Sequence, residues 1–421
     1  MRVAYLNPTG VIGGAERSML DLMAAIHESA PDVSMSLIAA ADGPLVGRAS
    51  ALGVEVRVLP MAESLMAAGD SSGVASLPRT LALGARMLGA GLVAWPYSRA
   101  LNRAVAELGP DIVHSNGIKF HGLTGFLKRG VPVVWHIHDF MGTRPLAARA
   151  LRWAWRRAAT AFAVSRAVGE DAGAALGTRR PIEVMYNAVD TAAFSPGRAD
   201  GPRLDKLAGL ASEPGPAVRV GIVATYARWK GQDLFLDAAA RALAATPRRP
   251  LRVFVIGGPI YTTIGSQFTA DELRARASDL GIGDRVGFVG FVEDVAEIYR
   301  ALDIVVHAST RPEPFGLTIV EALGCGRPVI VAREGGAAEL FTHDHDAFGV
   351  PPRDAEALAR AILMLADDPA RRARLGQNAR QTVLDRFTRA RLGRQALATY
   401  RQLAGSRPDP GARIRTSSPC R

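Results

Sequence analysis

The chain is short of cysteine: only Cys325, in an apolar helical stretch, and Cys420, near the C-terminus, occur. Two thiols so placed exclude a disulfide framework and point to a reducing compartment. An apolar run long enough to span a bilayer is also missing. The greasiest stretch, Leu81 to Tyr97, is broken by Arg86, several glycines and Pro96, whereas a span needs about 20 apolar residues. No charged leader, apolar segment and cleavage site precede the first strand pattern, Arg2 to Leu6; the expectation is a cytoplasmic protein without a signal peptide. No short-period repeat is visible. The first glycine loop, Pro8 to Gly14, is not the G-x-G-x-x-G fingerprint, so a nicotinamide or flavin oxidoreductase loses support. Acidic residues are in deficit, 40 against 51 basic ones, which leaves a net charge of +11. Such a surface attracts phosphates, anionic headgroups or nucleic acid, and charge alone does not choose among them.

What is present is a globular balance, 48% hydrophobic and 22% charged residues in 421. That length exceeds what one core organises and suggests two domains. Continuous apolar runs of the kind that form buried parallel strands alternate with longer helical patterns. The first series is Arg2 to Leu6, Val33 to Ala39, Val54 to Leu59, Asp111 to His114, Val131 to Ile137, Thr160 to Val164 and Ile182 to Met185. A second comprises Val218 to Ala224, Leu251 to Ile256, Arg285 to Val289, Asp303 to His307 and Pro328 to Val331. The pattern is α/β, with one doubly wound parallel sheet in each half. Residues 1–190 then form an N-terminal domain, the Pro-, Gly- and Ser-rich stretch 191–216 a linker, and 217–385 a C-terminal domain. The basic helical pattern at 386–404 follows, and 405–421 reads as a disordered tail.

The sharpest motif is Arg311-Pro-Glu-Pro-Phe-Gly-Leu-Thr-Ile-Val-Glu321, directly after the strand Asp303 to His307. Its prolines favour an extended loop and Gly316 opens a helix. Glu313 is thereby placed on the loop above the helix and Glu321 about two turns down it. Between them the N–H groups of Gly316, Leu317 and Thr318 offer an anion site at a helix N-terminus. A plainer reading makes Glu313 a cap and Glu321 a solvated charge. Upstream, Gly221-Ile-Val-Ala-Thr-Tyr-Ala-Arg-Trp-Lys-Gly231 brings a strand end, a loop and Lys230 before a helix; its compact ammonium suits a diphosphate. In the first half, Gly13-Gly14 turns into a helix near Ala15, and Trp135-His-Ile-His-Asp139 closes a strand with His136 and His138 on one face. No further ligand cluster stands nearby, and zinc needs three or four ligands. Cys325 reads as a packing residue rather than a nucleophile.

Glu313 and Glu321, with Phe-Gly between them and Glu-Ala-Leu-Gly-Cys-Gly-Arg-Pro-Val after, resemble the signature of glycosyltransferase family 4. The resemblance runs from Arg2 to about Leu403 and takes in Ile256-Gly-Gly258, Val286-Gly-Phe-Val-Gly290, Gly335-Gly-Ala-Ala-Glu339 and Tyr186-Asn-Ala-Val-Asp190. It implies the GT-B fold, two Rossmann-like domains facing a central cleft, with a last helix crossing back to the N-terminal domain. It also implies retaining transfer from a nucleotide diphosphate sugar to a hydroxyl acceptor, a glycan or a lipid-linked molecule, in cell-envelope glycan, polysaccharide or glycolipid synthesis. By the same resemblance Glu313 contacts the donor sugar, Lys230 steadies the leaving diphosphate, and His138 meets the sugar from the N-terminal domain. Donor binding falls on Gly14, Gly257, Val289 and Gly290, on Gly316, Leu317 and Thr318 at the helix start, and on Glu321 at the ribose. Thr225 stands where the family has arginine, which puts one diphosphate contact in doubt unless Arg228 supplies it.

No cofactor, no metal and no nucleic acid partner are expected. The acidic triplet Asp344-His-Asp346 lies in a polar turn before the short run Phe348 to Val350, not at a strand end. Arg144 to Arg157 mixes five arginines with Trp153 and Trp155, as a helix touching an anionic membrane surface would. A helix packed on the sheet with solvated arginines is equally compatible. A phosphorylase or epimerase of the same architecture, or a sugar-nucleotide-binding protein without turnover, is the alternative to transfer.

Overall fold

The computed structural model describes residues 1–66, 94–211, 217–245, 250–259 and 265–405. Most of Leu81 to Tyr97, the end of the expected linker and the expected tail with Cys420 lie outside them. The chain divides into two compact units. Among the described residues, one holds those of 1–163, 169–185 and 392–405, and the other those of 164–168 and 186–391.

The first unit is built on β1 (Arg2–Asn7), β2 (Ser34–Ala39), β3 (Glu55–Val58), β4 (Ile112–Asn116), β5 (Val133–Ile137), β6 (Thr160–Ala163) and β7 (Glu183–Val184). They pair in the order β3-β2-β1-β4-β5-β6-β7, every pairing parallel. β4 and β5 are buried at every residue, which is why their sequences are mostly apolar. The last helix, Arg389–Gly405, contributes Tyr400, whose hydroxyl lies 2.6 Å from His114 Nδ1. From the same helix Gln395 donates to Glu183 and to the Val184 carbonyl.

The second unit carries β8 (Val218–Val223), β9 (Leu251–Ile256), β10 (Val286–Val289), β11 (Ile304–His307), β12 (Val329–Ala332) and β13 (Phe348–Val350). Their order is β10-β9-β8-β11-β12-β13, again all parallel. Val220, Ile222, Val253, Val255, Ile304, Val306 and Ile330 pack against Phe235, Leu358 and Ile362 of flanking helices to form its core. Two elements depart from expectation. Phe348–Val350 adds a three-residue edge strand, registered Ile330 with Phe348, too short a run to announce itself by periodicity. Within the stretch read as linker, Gly201–Leu207 is helical, with Asp200 accepting the Arg203 N–H as its cap. Asp205 of that helix sits in a buried ion cluster with Arg219 and Arg252. Polar composition concealed this helix.

In each sheet the strand order reverses beside the first strand, between β1 and β4 and between β8 and β11. Ligands of open α/β sheets bind outside the strand ends at such points. The loops leaving β8 and β11 carry Lys230 and Glu313.

Candidate active site

The loop after β8 ends in a single 3₁₀ turn, Arg228–Lys230, closed by Gly231 in the left-handed region (φ 77°). A Cβ at Gly231 would stand 2.1 Å from the Ala308 carbonyl oxygen, so only glycine lets this loop press against the backbone leaving β11. Thr310 N–H donates to the Trp229 carbonyl and completes the join. On the other loop, the Gly336 N–H donates to the Glu313 carbonyl at 2.7 Å. Both backbones are thereby held before any side chain is considered.

The side chains converge on one oxygen. Glu313 Oε2 lies 2.7 Å from Lys230 Nζ, 2.9 Å from Ser309 Oγ and 3.1 Å from His307 Nε2. Ser309 Oγ and His307 Nε2 are themselves 3.0 Å apart. Glu313, His307 and Ser309 are all buried. Burial opposes ionisation of Glu313, but the Lys230 ammonium and the His307 contact outweigh it and hold the carboxyl well below the usual carboxylate range. An ionised acid is therefore stored in the interior at a sheet switch point. Sequence reasoning named Lys230 and Glu313 and missed His307 and Ser309. Their signal was position: His307 ends β11 and Ser309 follows it, where ligand-facing groups collect.

Gly316 (φ 102°) caps the helix Leu317–Gly324. Its first N–H to bond back is that of Ile319, to the Gly316 carbonyl. Among the described residues none accepts from the N–H groups of Gly316, Leu317 or Thr318, so the helix start presents free donors. Glu321, expected as a solvated charge in the plainer reading, is buried and accepts from the Tyr299 hydroxyl at 2.9 Å. Gly257, at the end of β9 with φ 128°, approaches the Ala224 carbonyl so closely that a Cβ would come within 2.0 Å. Its N–H donates to the carbonyl of Val289, which is buried, while Gly290 is exposed. Arg228 does not stand free for the place left by Thr225. Its guanidinium pairs with Glu272 at 2.6 Å and lies over Phe268.

In the first unit Gly14 opens the helix Gly14–Ser29, with Glu16 accepting the Gly13 N–H. His138 follows β5, and its Nε2 lies 2.6 Å from Asn116 Oδ1 at the end of β4. Asn116 donates through Nδ2 to Asn7 Oδ1 at the end of β1. An amide oxygen only accepts, so His138 carries its proton on Nε2 and leaves Nδ1 as an acceptor. His136 does share a face with it, the rings 4.1 Å apart, and His114 lies 5.2 Å beyond His136. Burial pushes all three below the ordinary histidine value. Asn7, Asn116 and His114 were not singled out from sequence.

The remaining candidates have structural duties. Asp344 (φ 56°) is gripped by Arg371 and Arg374, and buried Asp346 accepts from the Thr342 N–H and the Thr382 hydroxyl. Glu339 of the Gly-Gly-Ala-Ala-Glu motif accepts from Arg166 N–H, Ala167 N–H and the Tyr186 hydroxyl. Cys325 is buried, and burial pushes its thiol up to about 11, against nucleophilic use. Among the described residues no group of three or more His, Cys, Asp or Glu side chains forms a metal ligand set, and no helix is long and apolar enough to cross a membrane. The helix Pro145–Trp155 buries Ala148, Leu151, Ala154 and Trp155 and leaves Leu146 and Trp153 exposed beside Arg149, Arg152 and Arg156.

The family model for glycosyl transferases group 1 matches residues 212–382, and that for glycosyltransferase family 4 matches residues 12–193. The lipopolysaccharide core biosynthesis mannosyltransferase LpsB of Rhizobium meliloti (strain 1021) is 30% identical over 332 residues, 73% of this chain and 91% of that protein. A D-inositol 3-phosphate glycosyltransferase of Rhodococcus opacus (strain B4) is 35% identical over 200 residues, 47% of this chain and 43% of its own length. Among solved structures, Anabaena Alr3699/HepE in complex with UDP-glucose matches with a TM-score of 0.77 at 26% identity, covering 96% of this chain and 100% of that one. The paired doubly wound sheets and the Glu313 to Glu321 motif on the second of them thus have a common origin: this chain belongs to the group 1, family 4 glycosyltransferases and has their GT-B fold.

Proposed function

We propose that the protein moves a sugar from a nucleoside diphosphate donor to a hydroxyl acceptor with retention of anomeric configuration and without a metal ion. The observation that carries this reading is the ionised, buried Glu313 paired with Lys230 beside the free N–H groups of Gly316 to Thr318. A carboxylate so placed stabilises positive charge developing on a sugar. The ammonium and helix start together neutralise a departing diphosphate, the service a divalent cation performs elsewhere. Both carboxylates of the Asp344–Asp346 turn are engaged by arginines, backbone and Thr382, which supports a metal-free site further. Glu321 is assigned to the ribose, Gly14, Gly257, Val289 and Gly290 to donor binding, and His138 to a sugar hydroxyl through its free Nδ1. HepE was crystallised with UDP and with UDP-glucose, and LpsB is a mannosyltransferase of lipopolysaccharide core synthesis; a hexosyl donor and an envelope glycan or glycolipid acceptor, handled in the cytoplasm, fit both.

The test is Glu313→Gln, which keeps the shape and removes the charge. Turnover is expected to fall by about 10²-fold or more with the melting temperature nearly unchanged. Wild-type turnover would remove Glu313 from the chemistry. Transfer after exhaustive chelation should proceed undiminished; loss restored by magnesium or manganese would end the metal-free part of the proposal.

The exposed Trp153 and Leu146 among arginines support a peripheral contact of helix Pro145–Trp155 with an anionic inner leaflet. Co-sedimentation with anionic vesicles at low salt, weakened by Trp153→Ala, is the expected result. No binding by the wild type would dismiss it.

A further inference from the structure

The Lys230 ammonium has two claims on it. In the structure it is paired with Glu313 Oε2 at 2.7 Å; in the proposed reaction it serves the diphosphate. A diphosphate carries more charge than a carboxylate and draws the ammonium toward itself. Glu313 would then be an ionised group in a buried place, its strongest partner gone. Two further donors remain on the same oxygen. Because an ionised carboxylate only accepts, the His307 proton resides on Nε2, shared between Glu313 Oε2 at 3.1 Å and Ser309 Oγ at 3.0 Å. The Ser309 hydroxyl donates to Oε2 at 2.9 Å. His307 is anchored in β11, whose four residues are all buried. Among the described residues none bonds to Glu313 Oε1.

We propose that His307, with Ser309, is the positioning residue that keeps Glu313 aimed when Lys230 passes from the carboxylate to the donor's diphosphate. The proposal rests on the transfer reading above. Oε2 stays tethered by these two donors throughout, and Oε1 is the oxygen turned to the sugar. The titratable or charged groups acting on Glu313 are Lys230 and His307. Removing the imidazole therefore withdraws a donor from the ionised form and leaves the carboxylate free to turn, which lowers turnover without weakening donor binding.

The experiment compares His307→Phe, His307→Gln, Ser309→Ala and Lys230→Ala with wild type, using a nucleotide sugar that the wild-type protein turns over. For His307→Phe, kcat is expected to fall roughly tenfold to a hundredfold with donor KM within about threefold. Glutamine, whose amide nitrogen can occupy the place of Nε2, should restore most of kcat. Ser309→Ala should lower kcat in the same way by less. Lys230→Ala should raise donor KM as well. Wild-type kcat in His307→Phe, or a loss of kcat that glutamine does not relieve, overturns the proposal. Should the phenylalanine variant not fold, Ser309→Ala decides: a wild-type kcat, or a donor KM raised as much as kcat is lowered, overturns it. Glu313→Gln run in parallel separates the two readings. If that variant is dead while the His307 and Ser309 variants behave as wild type, only the positioning role falls; if Glu313→Gln is fully active, the transfer reading falls first.

Discussion

The two units bury ionisable groups in opposite ways. The first encloses His114, His121 and His136 completely and His138 partly, and burial lowers the pKa of each. For a base that direction means the neutral form is kept. The second encloses Glu313, also lowered, but for an acid that direction means the charged form is kept, against its own desolvation. One interior avoids charge and the other stores it by supplying a cation. Charge storage costs desolvation, which stability alone does not repay; it makes sense where the charge is used.

The largest effect that distinguishes the two strategies comes from removing the cation. Lys230→Ala leaves Glu313 ionised without a counter-charge, the pair being 19% and 7% exposed. Turnover should fall about tenfold to a hundredfold, and unfolding free energy at neutral pH should drop by about 2 kcal/mol, below the figure for a fully buried pair because Lys230 keeps some solvent. Denaturant titration and steady-state kinetics on one preparation check both. A variant as stable and as active as wild type would make the stored charge incidental.

Acid should next separate the units in the order their groups dictate. The histidines have folded pKa values below the ordinary 6.5, so the unfolded chain binds protons first, and the first unit loses stability as pH falls below about 6.5. Glu313 has a folded pKa below 4.5, so its contribution is whole above 4.5 and is lost only beneath that. Hydrogen exchange between pH 7 and 5 should therefore show protection weakening around β4 and β5 before it does around β8 and β11. Equal weakening in both sheets would mean that the histidines do not govern the acid response.

Much of this was legible in the sequence, for a physical reason. Parallel strands covered on both faces must be continuously apolar, so runs such as Val218 to Val223 announce themselves, and with them the two sheets and their switch points. Glu313, Lys230 and Gly316 were legible because motif spacing placed them at strand and helix ends. What was hidden depends on pairing across the chain. Ser309 and His307 look like ordinary strand-end residues until the fold sets them on Glu313 Oε2, and Asn116 matters only because β4 lies between β1 and β5. The helix Gly201–Leu207 was concealed by polar composition, although its stabiliser, Asp205 with Arg219 and Arg252, lies in contacts that no local pattern reveals.

The smallest expected effect is the sharpest test of the first unit's strategy. His136 is wholly buried, and among the described residues neither of its ring nitrogens has a hydrogen-bond partner; its neighbours are the rings of His114, His138 and Phe162. A buried polar group without a partner costs free energy, and replacing it by an apolar group of similar size is close to neutral or stabilising. His136→Leu should therefore melt at pH 7 within a few degrees of wild type, on the upper side, since about 1 kcal/mol shifts a unit of this size by roughly 2–4 °C. The gain should widen on acidification. Wild type loses up to about 1.4 kcal/mol per pH unit for each buried neutral histidine once the unfolded form is protonated, and leucine removes one such site. Melting curves of both proteins at pH 7, 6 and 5 provide the readout. A variant several degrees less stable at pH 7, with the same slope as wild type below pH 6, would show that the imidazole of His136 has a partner worth keeping, and that the first interior, like the second, spends polar groups for a purpose.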